Sequence, residues 1–165
     1  MSTPPQITLN PIGLVRSPHQ DPKATPIQPR FALGCPGSIE LLPSLEAGLQ
    51  DIEGFSHLIL IYHLHRAEPA PLVVRPFMDP TPRGVFATRY PSRPNNLGLS
   101  VVRLAGRRGP ILDILDVDIL DGTPLLDIKP FFPRFDVPEG AKGGWNDEVP
   151  WEDAEARGQR VPPAR

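Results

Sequence analysis

The chain has 165 residues, of which 39% are apolar, and this is enough for one domain with a single core. Its 24 prolines and 14 glycines divide it into short segments, which excludes a fold built on long helices. The net charge of −2 excludes no class of partner, because seven arginines and one acid lie between residues 75 and 108, whereas five aspartates and no base lie between residues 113 and 127.

The cysteine count and the apolar runs indicate the compartment. Cys35 is the single cysteine, so an internal disulfide is excluded, and the N-terminus has none of the features of a signal peptide. The longest apolar run, residues 58–62, is far shorter than the roughly twenty residues of a membrane-spanning helix. These features predict a cytoplasmic protein without a membrane span.

The first third of the chain predicts short strands separated by one long loop. Residues 7–17 carry apolar side chains in near alternation and form a predicted strand that bends at Pro11. Residues 18–36 contain five prolines and little periodicity, so we expect a long irregular loop, a common place for ligand-binding residues. A short strand over residues 38–42 and a turn or two of helix over residues 44–51 follow.

The middle of the chain contains the clearest strand, residues 57–66. Leu58, Leu60, Tyr62 and Leu64 share one face by the period of two, and that face is predicted to be core. Further strands are predicted at regular spacing over residues 72–77, 84–89, 99–104, 111–118 and 124–129. About eight short strands of this kind predict an all-β fold, a single small antiparallel β-barrel with short helical turns.

The composition changes after Asp136. Residues 1–136 form the predicted barrel domain, whereas residues 137–165 are rich in Gly, Pro and charge and lack apolar periodicity. We expect an irregular, extended C-terminal tail that packs on a partner or stays mobile. Trp145 and Trp151 in this tail either anchor an interface or pack on the nearest barrel surface.

Two dense polar segments follow the predicted strands, and the first covers residues 84–100. Arg89 and Arg93 flank Pro91, and Pro94 keeps the chain extended before Asn95. Such a rigid, donor-rich corner suits a phosphate, a carboxylate or a purine edge. A structural alternative is equally open, namely a hairpin held by Arg–Asp pairs to the aspartate-rich segment.

The second polar segment covers residues 116–136. Asp121, Gly122 and Thr123 form a predicted tight turn, in which the polar side chains hydrogen-bond nearby backbone. That structural role does not explain Asp127 and Lys129, which lie two residues apart on one strand face. Burying these charged side chains costs free energy unless they pair with each other or take part in function. A functional role is favoured for these two residues.

His63 and His65 share a strand face and could in principle hold a metal ion. No third ligand of suitable spacing accompanies them, so no metal site is predicted. Either histidine is more often a satisfied polar residue at a strand end than a ligand or a base.

At these segments the chain resembles the small β-barrel methyltransferases called the TrmO-type family, which methylate N6 of threonylcarbamoyladenosine at position 37 of tRNA. The resemblance extends over most of residues 7–136. It rests on Gln28 and on four motifs, IGLVRSP at 12–18, EGFSHLILIYHLHR at 53–66, RGVFATRYPSRPNNLGLSVVRL at 83–104 and DILDGTPLLDIKPFFPRFD at 118–136.

The resemblance implies S-adenosylmethionine as cofactor and a homodimer with the site near the subunit interface. The cofactor-binding residues that it implies are Gln28, Pro29, Arg30, His65, Arg66, Arg89, Leu99, Asp118, Ile119, Leu120, Asp121, Gly122 and Thr123. The residues expected on the acceptor side are Arg93, Asn95, Asp127 and Lys129.

The sequence departs from the family pattern in two places. Asn96 stands where the family often has a second proline, which loosens the corner. Longer members carry a C-terminal domain after the D-I-K-P segment, so here we expect RNA contact to be reduced or supplied by the second subunit.

Methyl transfer from a sulfonium needs positioning more than a metal or a special nucleophile. A carboxylate that accepts the N6 hydrogen would help, and Asp127 or Asp121 is the hypothesis for that role. The basic segment, including Arg83, Arg107 and Arg108, is expected to contact phosphates. Two alternatives stay open: a non-catalytic S-adenosylmethionine-binding protein, and a methyltransferase acting on another substrate.

Overall fold

A computed structural model describes residues 5–160. Within these residues, eight strands are present, namely β1 (Gly13–Arg16), β2 (Pro36–Leu41), β3 (His57–His63), β4 (Val73–Val74), β5 (Arg83–Gly84), β6 (Leu97–Arg108), β7 (Ile111–Leu115) and β8 (Thr123–Pro130). The two α-helices are α1 (Pro133–Asp136) and α2 (Trp151–Gly158). Single 3-10 turns or short 3-10 helices occupy Pro29–Phe31, Pro43–Leu49, Ile52–Gly54, Val85–Ala87 and Gly144–Glu148. The prediction of a mostly-β chain with few helices is confirmed.

Six of the strands form one closed antiparallel barrel. Their order is β1-β2-β7-β6-β3-β8, and β8 also pairs with β1 through Gly13 and Leu125, which closes the ring. β4 and β5 pair only with each other and form a separate two-stranded sheet. The barrel therefore uses fewer strands than the eight predicted.

The alternation of apolar residues explains the core of the barrel. Leu58, Leu60 and Tyr62 of β3 are buried, as the period of two predicts, and Leu64 lies beyond the end of the strand. The other strands contribute their inward residues in the same way. The barrel core comprises Val15, Ile39, Leu41, Leu49, Leu58, Leu60, Tyr62, Val102, Leu112, Ile114, Val117, Ile119 and Leu125.

Several strand boundaries differ from those predicted. The first strand is limited to β1, and Ile7 and Leu9 upstream of it are exposed, because β2 and β8 pair only with residues 13–16. The strand predicted at 72–77 shrinks to β4, which ends before Pro76. The strand predicted at 84–89 is reduced to β5, because a 3-10 turn begins directly after it at Val85–Ala87. β6 is longer than predicted, and a register shift between Leu104 and Gly106 lets it continue to Arg108.

The C-terminal region is more ordered than an extended tail. Helix α2 packs on the chain itself, with the Trp151 ring stacked on Phe31 at a centroid distance of 5.6 Å. Ala154 and Gly158 are buried in this contact. The expectation of a tail that packs on a partner or stays mobile is therefore corrected for residues 143–160. None of the helices among residues 5–160 is long and apolar enough to cross a membrane.

Candidate functional site

A chain of polar groups runs inside the barrel from β3 to the segment after β7. The Tyr62 hydroxyl lies 2.9 Å from Ser100 Oγ, and Ser100 Oγ donates to Asp118 Oδ1 at 2.7 Å. Tyr62 and Ser100 are both buried, because they occupy inward positions of β3 and β6. The three side chains form one hydrogen-bonded unit that ends in a carboxyl group.

The environment of this unit shifts its proton affinities. Burial raises the pKa of Asp118 to about 7, although the Ser100 hydrogen bond and the charge of Arg89 act in the opposite direction. Burial also raises the pKa of Tyr62, and the negative charge of Asp118 adds to that effect. The site therefore contains a carboxyl group that changes its charge near neutral pH.

The turn that follows Asp118 is fixed to the N-terminal part of the chain. The backbone N–H of Ser17 donates to Asp121 Oδ1 at 3.1 Å, and the backbone N–H of Asp121 donates to the His19 carbonyl at 2.8 Å. Gly122 has φ of 72°, a left-handed conformation in which glycine is favoured. The predicted tight turn is present, and the Asp121 carboxylate already has one partner.

Two loops meet beside this turn. Arg89 Nη1 donates to Gln28 Oε1 at 2.6 Å, and this hydrogen bond joins the loop of residues 18–36 to the loop that follows β5. Arg66 Nη1 donates to the Gln20 carbonyl at 2.8 Å, and therefore lies against the same N-terminal loop. The structure thus brings Gln28, Arg66 and Arg89 around the loop that the sequence predicted to bind a ligand.

Other residues of the predicted cofactor set lie at the edges of this arrangement. Pro29 and Arg30 form the 3-10 turn after Gln28, and the Arg30 guanidinium lies 5.6 Å from the centroid of the Trp151 ring. His65 is exposed just beyond β3, and desolvation lowers its pKa. Ile119 is buried in the core, so its side chain is structural, whereas Thr123 opens β8.

Arg93 has a structural role that differs from the expected acceptor-side role. Its guanidinium donates to the carbonyls of Val85, Thr88 and Tyr90 at 3.3, 2.8 and 3.4 Å. The guanidinium therefore holds the loop that leads to Arg89. Asn95, also expected on the acceptor side, is exposed.

Asp127, Lys129 and Leu99 lie on the outer surface of the barrel. Asp127 and Lys129 pair with each other at 2.7 Å and sit opposite Ile61 and Ile59 of β3, whose neighbours in sequence point into the core. Leu99 is 49% exposed on the same outer surface. In the single chain, these three residues lie on the opposite face of the sheet from the inward-pointing Ser100.

The arginines of the basic segment are largely paired with acids. Arg108 makes two hydrogen bonds to Asp113, and Arg103 makes two to Asp116. Arg107 contacts Glu46 and Glu53, and Arg83 contacts Asp79. The expectation that Arg83, Arg107 and Arg108 contact phosphates stays a prediction. The alternative of Arg–Asp pairs at the corner of residues 84–100 does not describe Arg89 and Arg93, which donate to Gln28 and to backbone carbonyls.

Sequence reasoning missed Tyr62 and Ser100 as members of the site. The available signal was the position of Ser100 in a strand whose alternate residues, Gly98 and Val102, are buried, since a polar group there needs a buried partner. Among residues 5–160, no group of three or more His, Cys, Asp or Glu side chains is arranged to hold a metal ion.

A small closed barrel with a partly buried, titratable carboxyl group beside two arginine-bearing loops is the arrangement of a ligand-binding barrel, a class distinct from the Rossmann fold. Residues 14–137 match the family model described as the tRNA-methyltransferase O N-terminal domain. The chain belongs to the tRNA-methyltransferase O (TrmO) family.

Relatives with known names agree with this assignment. A protein of Pyrococcus abyssi named "Probable S-adenosyl-L-methionine-binding protein" is 55% identical over 88% of this chain and 79% of its own length. The tRNA (adenine(37)-N6)-methyltransferase of Escherichia coli is 34% identical over 84% of this chain and 63% of its own length. A crystal structure of TrmO from Pseudomonas aeruginosa is 38% identical, with a TM-score of 0.71 over 84% of this chain and 62% of that one. The chain thus spans less than two thirds of the latter two proteins.

Proposed function

We propose that this protein is an S-adenosylmethionine-dependent methyltransferase that modifies N6 of threonylcarbamoyladenosine at position 37 of tRNA, in the cytoplasm. Family membership and the name of the Escherichia coli relative support the reaction. The observation that carries the proposal is the 2.6 Å contact between Arg89 and Gln28, which joins the two motif-bearing loops, while the charge of Arg89 acts on the nearby carboxyl group of Asp118.

The chemistry of the site fits the cofactor. S-adenosylmethionine supplies a methyl group on a sulfonium, together with a carboxylate, an ammonium group and a ribose diol. Arg30, Arg66 and Arg89 are suited to the carboxylate, because a guanidinium is a fixed fork of donors. Asp118 in its ionised form, and the free oxygen of Asp121, are suited to hydroxyl groups or to positive charge.

Most residues of the site position the cofactor and the acceptor, and only one carboxylate takes part in the reaction, as a proton acceptor. The Tyr62–Ser100 pair fixes the orientation of the Asp118 carboxyl group. The contacts of Asp121 with Ser17 and His19 hold the turn in one conformation, so little ordering is left for the binding step. A carboxylate accepting the hydrogen of the acceptor nitrogen completes the proposal, and Asp127 or Asp121 would hold that proton.

The placement of Leu99, Asp127 and Lys129 supports a homodimer. Leu99 is half-exposed, and it lies beside Ile61 on the outer face of the barrel. A second copy packed on this face would bring its Asp127 and Lys129 towards the cofactor loops of the first. Asp127 also borders an apolar cleft of about 450 Å³ that includes Phe55.

A non-catalytic S-adenosylmethionine-binding role is the second candidate. It is favoured by the pairing of Arg103, Arg107 and Arg108 with acids, which leaves fewer positive charges for RNA phosphates. A methyltransferase acting on another substrate is a third candidate, because the site chemistry specifies the cofactor more closely than the acceptor.

Calorimetric titration with S-adenosylmethionine and S-adenosylhomocysteine tests the cofactor. We expect micromolar binding, about −8 kcal/mol, and a loss of about tenfold or more in Arg89→Ala. Arg108→Ala is the matched control, because it removes a guanidinium of similar exposure from the far side of the hairpin and should bind normally. Absence of binding by the wild-type protein would overturn the proposal.

Single-turnover methylation of tRNA that carries or lacks threonylcarbamoyladenosine tests the acceptor. Turnover only on the carrying tRNA supports the proposed reaction, whereas cofactor binding without turnover on either supports the second candidate. Asp121→Asn and Asp127→Asn, measured together with cofactor affinity, assign the base: an unchanged rate removes that residue from the mechanism.

A further inference from the structure

We propose that residues 143–160, the C-terminal segment, position the cofactor loops, with Trp151, Gly158 and Arg160 as the positioning residues. This inference rests on the proposed cofactor site. The segment makes contacts with both loops that meet at the Gln28–Arg89 hydrogen bond, and it does so from the side away from the barrel interior.

The first set of contacts holds the N-terminal loop that carries Gln28, Pro29 and Arg30. The rings of Phe31 and Trp151 stack with an interplanar angle of 23°, and the Arg30 guanidinium lies over the same Trp151 ring. The backbone N–H of Ile27 donates to the Gly158 carbonyl at 3.0 Å. Helix α2 therefore holds Ile27, just before Gln28, and Arg30 and Phe31, just after it.

Gly158 allows this close approach. A Cβ atom at this position would lie 2.4 Å from Cδ2 of Phe31, well inside van der Waals contact. The Phe31 ring cannot retreat freely, because Trp151 covers it on another side. Any larger residue at position 158 therefore displaces either α2 or the loop that it holds.

The second set of contacts holds the loop that carries Arg89. The Arg160 guanidinium lies 3.9 Å from the centroid of Phe77, and Phe77 stacks on Tyr90, the neighbour of Arg89. The same guanidinium donates to the Pro22 carbonyl in the N-terminal loop. Arg160 therefore connects the N-terminal loop to Phe77, and through Phe77 to the loop that carries Arg89.

Two further hydrogen bonds attach the segment to this region. Trp145 Nε1 donates to the Ala87 carbonyl at 2.8 Å, in the loop that carries Arg89. Arg157 Nη1 donates to the Met78 carbonyl at 3.2 Å, in the β4–β5 connection that carries Phe77. The segment therefore holds the Arg89 loop directly through Trp145, and its neighbour through Arg157.

The consequence for binding follows from the nature of the loops. Neither loop contributes a strand to the barrel, so their conformations depend on loop contacts, among them those of Arg93 and those of the C-terminal segment. The apparent dissociation constant rises in inverse proportion to the fraction of molecules in the binding-competent conformation. Loosening the C-terminal segment should therefore weaken cofactor affinity without altering the bound geometry.

Trp151→Ala and Arg160→Ala in the full chain test this inference, with Trp151→Phe as the conservative variant. Glu152→Ala is the matched control, since Glu152 is exposed on the same helix. Affinity for S-adenosylhomocysteine is measured by calorimetry, and hydrogen exchange is followed in residues 24–35. We expect about tenfold weaker binding and faster exchange in both alanine variants, with Trp151→Phe within about twofold of the wild type.

A turnover assay separates positioning from catalysis. The Michaelis constant for S-adenosylmethionine should rise in Trp151→Ala while the rate at saturating cofactor stays unchanged. Affinities of Trp151→Ala and Arg160→Ala equal to that of Glu152→Ala would overturn the inference and leave the proposed function intact. A wild-type protein that binds neither ligand would overturn both.

Discussion

Replacing Asp118 with asparagine removes a carboxyl group whose pKa the fold raises from 3.8 to about 7. Between these two pH values the folded chain retains a proton that the unfolded chain has released. The stability of the wild-type protein therefore falls as pH rises through this window, by about 1.4 kcal/mol per pH unit. Between pH 5 and pH 8, the titration of Asp118 lowers the free energy of unfolding by about 3 kcal/mol, and above pH 8 it lowers it no further.

Urea denaturation of the wild-type protein and of Asp118→Asn at pH 5 and pH 8 measures this effect. The asparagine side chain does not titrate, so the difference between the two pH dependences isolates Asp118 from the histidines. We expect Asp118→Asn to gain about 3 kcal/mol relative to the wild type between the two pH values. Parallel pH dependences would refute the assignment of a raised pKa to a buried Asp118.

Two further predictions concern the packing and charge of the barrel. Gly98→Ala places a Cβ atom within the van der Waals radius of the Tyr62 ring, so we expect a loss of about 2 kcal/mol in a denaturant titration, and an unchanged midpoint would contradict the close approach. Arg103→Ala should lower the melting temperature more than Arg108→Ala does, because it leaves the buried Asp116 carboxylate without its ion-pair partner. Arg103 lowers the pKa of Asp116, so the difference in melting temperature between the two variants should diminish as pH falls and Asp116 becomes protonated. Equal melting temperatures in the two variants would show that the burial of Asp116 carries no energetic consequence.

Local patterning predicted the strands whose burial is set by their own side chains. β3 has inward apolar residues at three alternate positions, and this alternation alone identified the core face. The apolar residues Ile7 and Leu9 show a similar local pattern, yet they are exposed, because strand formation requires a neighbouring strand to pair with. The pairing of β1 with β2 and β8 depends on distant residues that no local pattern can reveal.

The candidate site could be predicted in part. The motifs located Gln28, Arg89 and the turn at Asp118, which the structure brings together. The role of Arg93 could not be predicted, since a guanidinium can serve a ligand or a backbone carbonyl equally well, and its direction is decided by packing. The helix α2 was missed because its apolar contacts are few and are made mainly by one tryptophan and two small residues.

The closure of the ring by β1 and β8 has a consequence for how the protein is made. Gly13 finds its partner Leu125 only after most of the chain has been synthesised, so the edge of β1 that faces β8 has no partner until then, although β1 can already pair with β2. Contacts of such long sequence separation slow folding, because the loop must close before the contact is gained. Newly synthesised chains should therefore be most prone to aggregate just before β8 is complete, and ribosome-bound fragments ending before residue 123 should need a chaperone to stay in solution.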